Sequence, residues 1–127
     1  MATIKSYTDI SQSKKLAEIL SIESADMGWY YSRNPQAARN QMWLGTKAEN
    51  ADIPCWSLAA LLEQLHYEVC DDDGYSSYLQ MNKEDDMYQL EYIDPSKIFE
   101  SIETDRHEHF VDACYEMILK LKELNLL

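Results

Sequence analysis

Apolar residues fall along this chain in two rhythms, and the densest stretch, IPCWSLAALLEQL at 53–65, carries the helical one. Leu58, Leu61, Leu62 and Leu65 stand at i, i+3, i+4 and i+7, one face of a helix, with Glu63 and Gln64 turned away. Pro54 biases Ile53 to extended backbone, and the Ser57 hydroxyl can accept from the free N–H groups of a first turn. A helix from Leu58 to about His66 is expected, capped by Ser57, with Ile53 and Trp56 entering the core ahead of it. An aspartate at Leu61 or Leu62 should unfold the domain. At the C-terminal end Phe110, Cys114, Met117, Leu121 and Leu124 step by four and three, joined by Val111 and Ile118, while Glu116, Lys120 and Glu123 take the far side. A helix over 110–125 follows, with Glu108 and Asp112 at its start and Lys120 and Lys122 toward its end suiting the helix dipole. A first helix over Ile10 to Leu20 is predicted by Leu16, Ala17 and Leu20 behind an Asp9/Gln12 capping box.

The second rhythm has period two. Tyr88, Leu90 and Tyr92 alternate with Gln89 and Glu91, as in a strand covered on one side. Asp71-Asp72-Asp73-Gly74 is a turn signal, and after it Tyr75–Met81 and Met87–Ile93 read as a hairpin with a five-residue loop, Asn82 to Asp86. Asp94-Pro95-Ser96 closes the second strand. Gln41–Lys47 is a candidate short strand, while Ala25–Tyr31 is too short for a periodicity test. Ser32–Asn40, around Asn34-Pro35, is a connection, and 97–106 is a charged connector whose Ile98, Phe99 and Ile102 suggest a short helical turn. The expected architecture is one α+β domain over residues 1–127, its small antiparallel sheet centred on the hairpin and packed by the helices at 58–66 and 110–125.

Composition agrees with a packed domain: of 127 residues, 46% are apolar and 27% charged, with three glycines and three prolines. No apolar run approaches the length of a membrane span and no export signal is visible, so a cytoplasmic location is expected. Cys55, Cys70 and Cys114, odd in number and widely spaced, read as reduced thiols.

Charge changes the picture more. The formal net charge is −12; residues 1–48 hold six basic against four acidic residues, so the rest of the chain carries −14. Such a surface repels a phosphate backbone or an anionic membrane, which excludes direct nucleic-acid or membrane binding as an expected role.

Candidate chemistry is sparse. His107 and His109, flanked by Asp105 and Asp112, are the best metal candidates, but residues two apart point about 200° apart on a helix, so they could share an ion only from irregular backbone. His66 and Cys70 would align only if their helix ran on, and Cys114 sits on an apolar helix face where a cysteine is usually a small buried hydrophobe. An EF-hand placed on Gly74 would put Val69 and Gln80 where an aspartate and a glutamate are needed, and fails. With Gly28, Gly45 and Gly74 as the only glycines, no phosphate loop exists. No cofactor and no catalytic set is expected. Trp29, Tyr30, Tyr31 and Trp43 form either a second patch of core or an exposed surface for a partner or a homodimer.

Three blocks carry a resemblance: KKLAEILSIESADM at 14–27, IPCWSLAALLEQL at 53–65 and VDACYEMILKLKELNLL at 111–127. Together they resemble a group of small uncharacterised proteins encoded by phages and other mobile elements of gut Bacteroidales. They are more distantly similar to the phage α-β-α sandwich domain, in which helices flank a small antiparallel sheet. In that group Asn-Pro introduces the last helix, where this chain has His109-Phe110. The matching residues are apolar or capping, so the resemblance implies a fold and no catalytic position. The expected function is that of a non-enzymatic accessory protein of a phage or mobile element, binding another protein through the acidic hairpin region, Asp71, Asp72 and Asp73 through Glu84, Asp85 and Asp86. A DNA mimic occupying the basic cleft of a nuclease and a small metal-dependent enzyme using His107 and His109 are the alternatives.

Overall fold

The computed structural model describes residues 4–33, 41–96 and 100–127. It is an α+β fold with antiparallel sheets and a C-terminal helix. The expected single sheet is divided into two, and the chain gathers into two compact units, Ser6–Ala60 and Met1–Lys5 with Leu61–Leu127.

In the first unit, α1 (Ile10–Ala17) starts as its sequence dictates. Asp9 Oδ1 accepts from the Gln12 N–H at 2.8 Å and Gln12 Oε1 accepts from the Asp9 N–H at 3.1 Å, the reciprocal capping box. The helix ends three residues short of Leu20. A three-stranded sheet follows in the order β2 (Met42–Gly45), β1 (Met27–Tyr31), β3 (Ile53–Cys55). The aromatic run at 27–31 is thus the central strand, and the extended lead-in imposed by Pro54 is an edge strand. α1 packs on β3, with Leu16, Cys55 and Trp56 fully buried. A polar knot lies among them: the Thr8 hydroxyl accepts from the Trp56 N–H at 3.2 Å and bonds Ser13 Oγ at 2.7 Å, and Trp56 Nε1 donates to Ser24 Oγ at 2.9 Å. Gly28 is required by close approach, since a Cβ there would meet the Ala51 side chain and stand 2.9 Å from the Lys47 carbonyl.

Helix α2 (Leu58–Gln64) begins at the expected cap, with Ser57 Oγ accepting from the Ala60 N–H at 3.2 Å and donating to Asp26. Leu61 and Leu65 are buried, but Leu62 is 39% exposed. The expectation that an aspartate at Leu62 unfolds the domain is therefore corrected, because the helix buries the narrower Leu61–Leu65 stripe.

The second sheet runs β4 (Glu68–Cys70), β5 (Ser76–Glu84), β6 (Met87–Ile93), β7 (Ile102–Glu103). The predicted hairpin is present with longer arms and a shorter loop. Register is unbroken from Tyr78↔Ile93 to Glu84↔Met87, leaving only Asp85 and Asp86 in the turn, with φ of 51° and 60°. Two left-handed residues are what a two-residue type I′ turn requires, and its twist matches that of the strands. β4 and β7 were not expected. Val69, just past the expected end of the helix at His66, and Ile102, expected in a helical turn, instead pair in the sheet. Ile98 and Phe99 lie outside the described residues, as does the Asn34-Pro35 connection.

Helix α3 (Phe110–Glu123) covers the apolar face of β6, burying Leu90 and Tyr92 against a stripe that includes Cys114, Met117 and Ile118. The Tyr88 and Phe110 rings stack at 5.3 Å. His109 occupies the N-cap without a side-chain bond, and its carbonyl accepts from the Asp112 and Ala113 N–H groups. Burial pushes the Tyr92 hydroxyl and the Cys114 thiol each up to about 12, so both stay protonated, and Tyr92 Oη donates to the His66 carbonyl at 2.6 Å.

Candidate functional site

Alternation across the second sheet sorts its side chains cleanly. Leu79, Met81 and Lys83 stand opposite Tyr92, Leu90 and Tyr88 on the α3 side. The other side carries Gln80, Asn82 and Glu84 from β5, Met87, Gln89 and Glu91 from β6, Glu68 from β4 and Glu103 from β7. Tyr78, Met87 and Ile93 are the apolar members of this outer face, and the rest of it is polar and acidic. Glu68, Glu84 and Glu103 are exposed, and Glu91 is half-buried, accepting from Asn82 Nδ2 at 2.6 Å.

Register places Glu91 directly opposite Glu103. Like charges so placed destabilise a sheet. Among the described residues neither carboxylate has an ion pair. Arg106 reaches the face and pairs with Glu84 at 3.1 Å. Beside that pair, at the hairpin tip, is a shallow groove of about 460 Å3 whose lining includes Met81, Asn82, Glu84, Met87, Gln89 and Arg106.

The six acidic residues predicted from sequence do not form one cluster. Asp71, Asp72 and Asp73 lie in the turn before β5, where Asp71 Oδ1 accepts from the Asp73 and Tyr75 N–H groups at 3.0 and 2.9 Å and Gly74 takes φ 83°. Glu84, Asp85 and Asp86 lie at the other end of the same strand, about 27 Å away at 3.4 Å per residue. Glu68, Glu91 and Glu103 stand on the face between them. Sequence reasoning placed Glu91 on a polar face but missed Glu68 and Glu103, because both sit on strands of two or three residues. The signals were short alternations: Glu68-Val69-Cys70 is exposed, buried, exposed, and Glu103 precedes the buried Thr104.

His107 and His109 are not brought together as ligands. His107 exchanges backbone bonds with Tyr88, and its Nε2 lies 2.7 Å from Glu116 Oε1. Among the described residues no group of three or more His, Cys, Asp or Glu is placed to hold a metal ion. Glu116 also accepts from the Asp105 N–H at 3.0 and 3.2 Å and lies 3.5 Å from Lys120. Burial raises its carboxyl, but His107, Asp105 and Lys120 outweigh burial and hold it below the usual value.

Of the aromatic quartet, Tyr30 stacks on Trp43 at 4.7 Å and donates its hydroxyl to the carbonyls of Lys47 and Glu49. Trp43 and Tyr31 are exposed, and Trp29 meets Tyr7 edge-on at 5.9 Å. No helix among the described residues is long and apolar enough to cross a membrane.

No known family, curated protein or solved structure matches the chain.

Proposed function

We propose that the protein binds another protein through the acidic outer face of its second sheet, as a non-enzymatic accessory protein of a phage or mobile element. The observation that carries this is Glu91 opposite Glu103, two carboxylates in register with no ion pair among the described residues. Such a pair costs stability in the free chain, and cationic side chains of a partner would relieve it. Asp71–Asp73 and Glu84–Asp86 extend the same negative field to both ends of β5. The phage or mobile-element context is supported by the resemblance of the blocks at 14–27, 53–65 and 111–127.

The test is affinity purification from a Bacteroidales lysate followed by mass spectrometry, with wild type and Glu91→Gln/Glu103→Gln as folded baits. A partner retained by wild type and lost by the double variant is the expected result. Equal capture by both baits would remove the face, and no capture by the folded wild type would sink the proposal. Carboxylates gathered on one face also favour mimicry of a nucleic acid as a second reading. A captured partner released by duplex DNA supports the mimic, and one indifferent to DNA supports a protein-specific interface.

A further inference from the structure

The second sheet has one long strand with a short neighbour. β5 has nine residues, yet β4 pairs only with Ser76–Tyr78, and the Tyr67 carbonyl accepts one further bond from the Leu79 N–H at 2.8 Å. In an antiparallel ladder, successive residues turn their N–H and C=O groups to alternate neighbours. Leu79 donates away from β6, so Met81 and Lys83 face the same way, while Gln80, Asn82 and Glu84 bond to β6. Among the described residues no backbone stands opposite the Met81 and Lys83 groups.

Natural sheets blunt such edges with proline, bulges or lysine. Residues 80–84 contain no proline, and the register with β6 has no bulge. The lysine that is present, Lys83, holds its ammonium 5.1 Å from the centroid of the Tyr88 ring, on the α3 side of the sheet. Met81 is 48% exposed. The open edge ends at Asp85 and Asp86, which form no ion pair among the described residues. A second copy of the chain would bring another net charge of −12 to that end, so charge favours a cationic occupant over self-pairing.

We infer that residues 80–84 of β5 are a strand-addition site, taking an extended, lysine- or arginine-bearing segment of a partner protein. The segment bonds to the main chain of Met81 and Lys83 and sets its cationic side chains beside the acidic face and the Asp85-Asp86 turn. This rests on the binding function proposed above and adds to it the mode of docking.

The probe is a displayed library of random twelve-residue peptides, selected on the immobilised full chain. Enriched sequences should alternate β-branched residues with lysine or arginine. Met81→Pro and Lys83→Pro each remove an edge-facing N–H and leave the bonds to β6 in place, so each should weaken a selected peptide about tenfold or more while keeping the wild-type circular dichroism. Amide exchange in the unsubstituted chain gives a check free of folding effects, with the peptide slowing exchange at Met81 and Lys83. Cationic peptides lost in the proline variants but indifferent to Glu91→Gln/Glu103→Gln would uphold the edge and remove the acidic face. Peptides lost in the glutamine variant alone, with exchange at Met81 and Lys83 unchanged, would overturn the edge and keep the face. Enrichment of no cationic sequence, or a concentration-dependent dimer abolished by Lys83→Pro, would overturn the proposed occupant.

Discussion

Thr104 shows how one side chain can complete a strand that the backbone leaves unfinished. Its hydroxyl accepts from the Leu90 N–H at 3.0 Å and donates to the Asp105 carbonyl at 2.8 Å, while its own N–H donates to the Leu90 carbonyl. The group is buried, so Thr104→Val, nearly the same in shape, strands the Leu90 N–H and should cost about 1–3 kcal/mol in a urea melt. Leu61 and Leu62 give a second contrast. Leu61→Asp buries an unpaired charge and should abolish cooperative folding, whereas Leu62→Asp, at a 39% exposed position, should cost less than about 1 kcal/mol by the same melt. Glu116 sets a pH dependence whose sign follows from its depressed folded-state value. A carboxyl of this kind contributes stability that is complete above its unfolded value, near 4.5, and lost as pH falls through the folded one. Chemical melts from pH 5 to pH 3 should therefore show a steeper loss for wild type than for Glu116→Gln.

At the scale of elements, the hairpin turn holds aspartate twice where the backbone asks for Asn-Gly. Left-handed φ at Asp85 and Asp86 costs strain that glycine avoids, and the two like charges are adjacent. Asp85→Asn/Asp86→Gly should raise stability by about 1 kcal/mol, read as a higher melting temperature. The same substitution of ideal turn residues would have made the loop legible: an Asn-Gly pair predicts a two-residue turn, whereas NKEDD suggests five. What could be read were the elements with local chemistry of their own: the Asp9/Gln12 box, the Ser57 cap, the α3 stripe and the alternation of β6. β1 was hidden because Trp29, Tyr30 and Tyr31 are consecutive and large, which erases alternation even though they face opposite sides. β4 and β7 are too short to carry a period, and they exist because β5 and β6 offer them a partner. The acidic face was legible only in part for the same reason, since two of its four glutamates sit on those strands.

For the whole molecule, the three thiols should divide by burial. Burial raises the Cys55 and Cys114 thiols, the latter to about 12, while Cys70 is exposed. A thiol-reactive dye should label one cysteine per native chain promptly and all three in urea, and prompt labelling of Cys55 or Cys114 in buffer would contradict the packing of its unit. Cys55 belongs to the Ser6–Ala60 unit and Cys114 to the other, so their labelling rates follow the opening of each unit separately. The division of the chain into two compact units also has an optical side. All three tryptophans, Trp29, Trp43 and Trp56, lie within Ser6–Ala60, and the other unit has none. Indole emission thus arises only from the Ser6–Ala60 unit, whereas backbone ellipticity sees both halves. Superimposable thermal curves from the two signals would mean that the halves melt as one cooperative body, and a gap between the curves would time the loss of one half against the other without any label or substitution.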